Sequence, residues 1–234
     1  MHPSPKIFLA LACLLSSQTL FAAEWLVLKS NSPDLKPGIL LTGSASLVLG
    51  QGTYLTLISP AGTVVRFAGP FNGRPDSGLE AGKNADRKMI DILRRLIAPD
   101  ATDTPIIGST RGQNADLWRI ELVREGIHCM ASDESPELSR ADPRASLLLE
   151  VARVGEGGSK ATVRFAEGQR TAFWPAAIPL RDGETYRFRA AGALEPHAVT
   201  VRLIPALPGD PHRAAWMAEH GCVSQARRLL ERLR

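Results

Sequence analysis

Short apolar runs separated by turn residues dominate this chain and predict a mainly β fold. In the first part the runs are rich in Leu, Val and Ile, and "NSPD", "TGS" and "SPAG" separate them. Pro, Gly, Asn and Ser in such separators favour turns. We therefore predict a small antiparallel β module over residues 23–80. Its expected strands cover 24–29, 38–41, 45–49, 54–58 and 63–68.

A connecting helix is predicted over residues 81–99, after a segment at 69–78 that shows no periodicity. Asn84 is a plausible N-cap, and Pro99 prevents the helix from continuing. The polar stretch 100–116 then predicts a linker and a domain boundary. The apolar residues that recur at helical spacing on one face are Met89, Ile90, Leu93, Leu96 and Ile97.

The segment 117–208 is again rich in strand signals and predicts a second antiparallel, sandwich-like β domain. Tyr186 and Phe188 alternate with arginines, which fits a sheet with one face in water. The predicted strands cover 117–123, 145–152, 161–166, 170–174, 184–190 and 198–204.

The tail, residues 209–234, changes to helical periodicity and predicts an αα-hairpin. Asp210 is the expected N-cap of the first helix, with Pro211 at its first position and Gly221 at its end. The leucines expected to face inward from the second helix are Leu229, Leu230 and Leu233.

Residues 1–22 have the three parts of a secretory signal peptide. A short start with one Lys precedes the apolar run 7–15, and a more polar stretch ends in alanine. We place cleavage after Ala22 and leave cleavage after Ala23 open. The alternatives are an uncleaved anchor and a lipidated Cys13; the first is disfavoured because a bilayer span needs about 20 apolar residues.

Removal of the leader leaves two cysteines, Cys129 and Cys222. An exported protein with an even number of cysteines usually pairs them, so we predict a disulfide between these two. Because the closed loop is long, the bond is expected to stabilise the fold by about 4 kcal/mol. Two buried free thiols are the alternative.

The charge and hydropathy patterns exclude two classes of protein. The formal net charge of +4 comes from arginines scattered among acids, whereas a nucleic-acid binder shows a dense basic stripe. After the leader, no segment is apolar and long enough to be a transmembrane helix. We therefore expect neither nucleic-acid binding nor a transmembrane segment in the mature chain.

No catalytic, cofactor-binding or metal-binding residue is predicted. The glycine-rich stretch 155–160 lacks the spacing of a phosphate loop and is interpreted as a hairpin turn. His212, His220 and Cys222 lie close in sequence, but the cysteine has a better partner and a metal needs three or four converging ligands. No serine occupies a Gly-x-Ser-x-Gly elbow. The spacing of Glu121, Glu125 and His128 does not imply a catalytic pair.

The stretch "PGILLTGSASLVLGQGTYLTLISPAGTVVRFAGP", residues 37–70, resembles a FecR-like periplasmic domain, the sensor-side module of bacterial iron regulators. "GPFNG", "GIHC", "FWPAAIPL", "GETYRF" and "HGCVSQARRLL" resemble features of a group of uncharacterised exported proteobacterial proteins. The predicted leader stands where such a regulator has a cytoplasmic arm and a membrane span. The resemblance therefore implies the fold alone, and the signalling role is not carried over.

Taken together, these features favour a non-catalytic periplasmic binding or envelope-accessory protein whose partner is an envelope protein or polymer. The alternative is a periplasmic, hydrolase-like enzyme with a site assembled from loops such as 69–78 and 125–140. A pocket that gathers His128 with carboxylates or a serine would favour the enzyme. An exposed sheet edge would favour the binding protein, because such an edge accepts a partner strand.

Overall fold

The computed structural model describes residues 24–77, 86–97 and 117–234, apart from Asp133, Ser135, Glu156, Gly157 and Leu194. It confirms the predicted fold class: several β-sheets, one helix between them in sequence, and two helices at the carboxyl end. The predicted leader with its cleavage site at Ala22 or Ala23, the N-cap Asn84 and the whole linker 100–116 lie outside the described residues.

The amino-terminal part forms a four-stranded antiparallel sheet and a two-stranded one. The larger sheet has the order β2-β1-β4-β5, and β3 pairs with β6. Sequence periodicity missed β6, because it has three residues and includes Asn72 and Gly73. The strands are β1 Glu24–Ser30, β2 Leu40–Thr42, β3 Leu47–Leu49, β4 Tyr54–Ile58, β5 Val64–Ala68 and β6 Phe71–Gly73.

Strands β1 and β4 are buried on both faces. On one face Leu55 and Leu57 pack in a small cluster with residues of β3. On the other face Ile58 belongs to the main core of the molecule, to which all three helices contribute buried side chains. The alternation of side chains along β4, with Leu55 and Leu57 on one face and Ile58 on the other, therefore separates two apolar environments.

Three helices line the main core: α1 Arg87–Ile97, α2 Asp210–Glu219 and α3 Val223–Arg232. The Oδ1 atom of Asp86 accepts a hydrogen bond from the Met89 amide at 2.9 Å and so caps α1. Gly209, not the predicted Asp210, is the N-cap of α2, because the chain is already helical at Asp210. The predicted αα-hairpin is confirmed, and Gly221 makes its turn with a φ of +87°.

A five-stranded sheet, β11-β10-β13-β14-β8, and a three-stranded sheet, β12-β9-β7, form the carboxyl-terminal part. Trp174 meets the rings of Tyr186 and Phe188 edge to face at 5.1 and 6.1 Å, which places residues of both sheets in one core. The strands are β7 Arg119–Glu121, β8 Gly126–Ala131, β9 Glu137–Ser139, β10 Leu147–Arg153, β11 Lys160–Phe165, β12 Thr171–Phe173, β13 Thr185–Ala190 and β14 His197–Ile204.

Two details of this part differ from the expectation of purely antiparallel pairing. Strand β8 pairs with β14 in parallel, and β7 pairs with β9 in parallel. Strands β8 and β9 were also missed, because "GIHCMA" begins with glycine and β9 has only three residues. Among the described helices, none combines the length and the apolar character that a membrane crossing requires.

Candidate functional site

A cleft of about 320 Å³ lies between β7 with its following turn, the start of β8 and the amino end of α3. Its position follows from the parallel placement of β8 at the edge of the five-stranded sheet, next to the hairpin turn of α2 and α3. Ionisable side chains line much of it: Arg119, Glu121, Arg124, Glu125, His128 and Arg228.

The predicted cysteine pair lies beside the cleft, which Cys222 lines. The sulfurs of Cys129 and Cys222 lie 2.08 Å apart, at disulfide distance, and their Cα atoms are 6.0 Å apart. Both residues are buried. Since Cys129 lies in β8 and Cys222 immediately precedes α3, the pair holds the edge strand against the last helix.

Gln225 is the polar counterpart of this pair, and sequence analysis did not single it out. Its Oε1 accepts the Cys129 amide N–H at 2.9 Å, and its Nε2 donates to the carbonyls of Cys129 and Leu117, each at 2.9 Å. The buried Gln225 side chain thus makes the hydrogen bonds with Cys129 that a neighbouring strand would make. The available signal was its position four residues before Leu229, on the apolar face of the predicted helix.

His128 lies in the cleft as a neutral ring. Burial, together with the positive charge of Arg228, lowers the pKa of His128 to about 4, although a hydrogen bond to the Trp118 carbonyl opposes the shift. The Nε2 atom of Gln225 is 3.4 Å from the Nε2 of His128. Because both hydrogens of that amide nitrogen already point to carbonyls, His128 gains little from this contact.

Glu121 shares its carboxylate between two arginines. Its Oε2 accepts from Arg124 Nε at 2.7 Å, whereas its Oε1 is 3.8 Å from Arg228 Nη1, beyond hydrogen-bonding distance. Burial lowers the pKa of Arg228. The Nε atom of Arg228 is itself buried and has no hydrogen-bond partner within the described ranges. Arg228 is thus a loosely compensated cation at the cleft.

The remaining charged residues of the cleft have closer partners elsewhere. Arg119 donates from Nε and Nη2 to Glu137 Oε2 on the neighbouring strand β9, at 3.1 and 2.9 Å. Glu125 lies at the rim, with its Oε1 3.5 Å from His197 Nδ1. Arg119 therefore adds little uncompensated charge to the cleft, and Glu125 is an exposed carboxylate at its rim.

The backbone of β8 is open where it enters the cleft. Backbone N–H and C=O groups alternate in direction along a strand, so Ile127 points to the same outer side as Cys129. Gln225 occupies that side at Cys129, but in the described part of the chain nothing pairs with the outer edge at Ile127. The Ile127 side chain is also 47% exposed, so both apolar and hydrogen-bonding surface is accessible here.

The cleft gathers His128 with Glu121, Glu125 and Ser224, the combination that would favour an enzyme. The hydrogen bonds do not complete a catalytic group, however. Glu121 is bound by Arg124, and His128 donates to a backbone carbonyl. No hydroxyl of the described residues is hydrogen-bonded to His128.

The other residues considered from sequence lie away from the cleft. His212 packs against Gly62 in the turn between β4 and β5, and His220 stacks on Trp216 with ring centroids 3.8 Å apart. The described residues contain no group of three His, Cys, Asp or Glu residues that could hold a metal ion. In the glycine-rich stretch, the Gly158 amide donates to the Gly155 carbonyl between β10 and β11, which agrees with a hairpin turn.

Comparisons of the chain with protein-family models, with curated proteins and with solved structures gave no match.

Proposed function

We propose that this chain is a non-catalytic binding protein of the periplasm and that the cleft beside Cys129 and Cys222 holds its partner, an envelope protein or polymer. The observation that carries the proposal is the open edge of β8 at Ile127, inside a cleft with an incompletely paired cation. An exposed strand edge offers main-chain hydrogen bonds to another chain, and flanking side chains supply selectivity.

The periplasmic location rests on the signal-peptide pattern of residues 1–22 and on the two cysteines at disulfide distance. Cell fractionation and amino-terminal sequencing of the exported protein test it. A first residue of Ala23 or Glu24 supports cleavage after Ala22 or Ala23. Recovery of the full-length chain in the cytosol would contradict the location.

The FecR-like assignment of residues 37–70 remains a proposal about ancestry. The short antiparallel strands of this stretch are compatible with it, and so is the turn that "SPAG" forms between β4 and β5. It contributes the expectation of a sensor-type module and identifies no ligand.

The binding role is tested by affinity capture from envelope extract with the exported protein as bait. Ile127→Glu places a carboxylate at the open edge, and Phe173→Glu makes the same change at a side chain that is 73% exposed on β12. We expect wild type and Phe173→Glu to retain a reproducible partner and Ile127→Glu to lose it. No reproducible partner for any form contradicts the binding role, and equal capture by all three contradicts the cleft.

A hydrolase-like enzyme is the second candidate, because His128, Glu121 and Ser224 line the same cleft. Nucleophilic catalysis requires a base within hydrogen-bonding reach of the nucleophile. Steady-state hydrolysis of p-nitrophenyl esters, compared between wild type, Ser224→Ala and His128→Gln, tests this candidate. Turnover that both substitutions abolish would favour the enzyme over the binding protein.

A further inference from the structure

We propose that the cleft binds the carboxyl-terminal end of an extended peptide, whose last residues pair with β8 at Ile127 and whose carboxylate lies near Arg228. This inference rests on the proposed binding function and names the chemistry of the partner. Three features of the cleft carry it: the hydrogen bonds of the buried Gln225 side chain to Cys129, the open backbone edge at Ile127 and the incompletely paired Arg228.

The open edge supplies the first contact. At Ile127 both the N–H and the C=O group point outward, so one residue of an added strand can form two hydrogen bonds with them. The β14 side of the strand is already paired, with Thr200 opposite Ile127 and Val201 opposite His128. A docked strand would therefore extend the five-stranded sheet by one position beyond β8.

The hydrogen bonds between Gln225 and Cys129 explain why a docked segment has to end next to Ile127. Two residues after Ile127, Gln225 occupies the outer N–H and C=O groups of Cys129. Helix α3 therefore blocks the path that an added strand would follow along β8. Only a chain terminus fits an edge that is open at one residue and closed at the next outward-facing one.

Charge selects the carboxyl end over the amino end. Arg228 lies on α3 three residues after Gln225 and lines the cleft, and Glu121 Oε1 is 3.8 Å from its Nη1. The buried Nε of Arg228 lacks a hydrogen-bond partner within the described ranges. A carboxylate would satisfy this guanidinium, whereas a terminal ammonium group would be repelled.

The amino end of α3 adds to the preference for a carboxylate. Its N-cap is Cys222, which makes no side-chain capping bond because its sulfur is joined to Cys129. The first amides of α3 therefore lack a side-chain cap, and Ser224 in this turn lines the cleft. Unpaired amides at the amino end of a helix favour a nearby anion.

The dimensions match a short ligand. A cleft of about 320 Å³ is at the lower end of the range of small-ligand pockets, so it holds one or two terminal residues. Ile120, Ile127 and Val199 contribute apolar side chains to its lining. We therefore expect a partner that ends in small or medium apolar residues and has a free carboxylate.

The test uses two pools of N-acetylated tetrapeptides, Ala-Ala-X-X with X drawn from Ala, Val and Leu, one with a free carboxylate and one amidated. Each pool is titrated into the uniformly ¹⁵N-labelled exported protein and followed by NMR. We expect saturable shifts of the Ile127 backbone amide and of the Arg228 Nε–H with the carboxylate pool, and affinity about tenfold lower for the amidated pool.

Arg228→Gln is the matching protein variant, and Arg164→Gln, on the exposed face of the edge strand β11, is its control. Arg228→Gln should lower the affinity for the carboxylate pool about tenfold and leave the affinity for the amidated pool unchanged. Arg164→Gln should change neither affinity. Melting temperatures check that both variants fold.

The inference is overturned if both pools bind equally, if neither shifts Ile127, or if Arg228→Gln affects both pools alike. These outcomes are distinguishable from a failure of the proposed function. Loss of every envelope partner in the capture experiment contradicts the function, whereas a partner captured through Ile127 but indifferent to its own carboxyl end contradicts this inference alone.

Discussion

The four-stranded sheet at the amino end and the five-stranded sheet at the carboxyl end are stabilised in different ways. In β4, Leu57 and Ile58 are adjacent and both fully buried, because each face of the sheet meets its own apolar cluster. In β10, Leu149 is buried and the adjacent Leu148 is 44% exposed. The first sheet is thus held by apolar contacts on two faces, and the second by one face.

The second sheet, with apolar cover on one face only, has additional contacts to α3 at its β8 edge. There the Cys129–Cys222 pair and the hydrogen bonds of Gln225 join the strand to α3. Together the cysteine pair and the Gln225 hydrogen bonds form a clamp that holds β8 at Cys129. This clamp does not cover the whole strand edge, so the backbone at Ile127 stays accessible. The comparison suggests that the sheet with less apolar cover is the one available for binding.

The largest effect is expected from removing the covalent part of the clamp. The double substitution Cys129→Ala with Cys222→Ala should lower the free energy of unfolding by about 4 kcal/mol, because the 93-residue separation makes the unfolded loop costly to close. Urea unfolding measures this, and wild type under reducing agent should show a similar loss. Two free thiols per chain in denatured, unreduced protein would show that no bond forms.

Leucine truncations test the difference in burial directly. Leu57→Ala in β4 and Leu149→Ala in β10 should each cost about 3 kcal/mol, because both side chains are buried. Leu148→Ala, next to Leu149, should cost less than about 1 kcal/mol, since exposed positions contribute little. Denaturant midpoints, compared at constant m-value, measure the loss of stability in each variant. A large loss for Leu148→Ala would mean that the outer face of the second sheet is also covered.

The polar part of the clamp should have an intermediate effect. Gln225→Ala leaves the N–H and C=O groups of Cys129 and the Leu117 carbonyl without their partner, which should cost about 2 kcal/mol. Native-state hydrogen exchange should show faster exchange of the Cys129 amide in this variant. Ser224→Ala, an exposed position one residue away, is the control and should leave exchange unchanged.

The last effect concerns pH and His128, and it is similar in size to that of Gln225→Ala. Folding lowers the pKa of His128 from 6.5 to about 4, so between these values the unfolded chain binds more protons than the folded one. Stability therefore falls as the pH drops from about 6.5 toward 4, by about 2 kcal/mol between pH 7 and 5.

Urea titrations at pH 7 and pH 5 compare wild type with His128→Gln. The substitution should flatten the dependence, because the neutral amide does not titrate. His197→Gln serves as the control, since the His197 side chain is 53% exposed. An unchanged slope in His128→Gln would assign the effect to other groups.

Local pattern was enough for most of the strands and helices. The alternation in "ETYRFRA" predicted β13, with Tyr186 and Phe188 inward, because the side-chain period of a strand is fixed by backbone geometry. The helical spacing of Met89, Ile90 and Leu93 similarly predicted α1. Patterns failed for β6 and β9, since three residues are too few to establish a period.

The candidate site was much less accessible from sequence. Glu121 and His128 were noticed, but Arg228 and Gln225 lie about 100 residues further along the chain, with nothing local to connect them. The edge itself escaped notice because β8 pairs in parallel with a strand some 70 residues later. Open and occupied edges depend on which strand comes to lie beside which.

By itself the sequence determined the mainly β class, the helical hairpin and the pairing of Cys129 with Cys222, because these depend on local periodicity, turn chemistry and residue count. Tertiary structure alone decided that the first sheet has two apolar faces, that Gln225 closes one position of β8, and that Ile127 and Arg228 share a cleft. Those features arise from contacts between residues far apart in the chain, which no local pattern encodes.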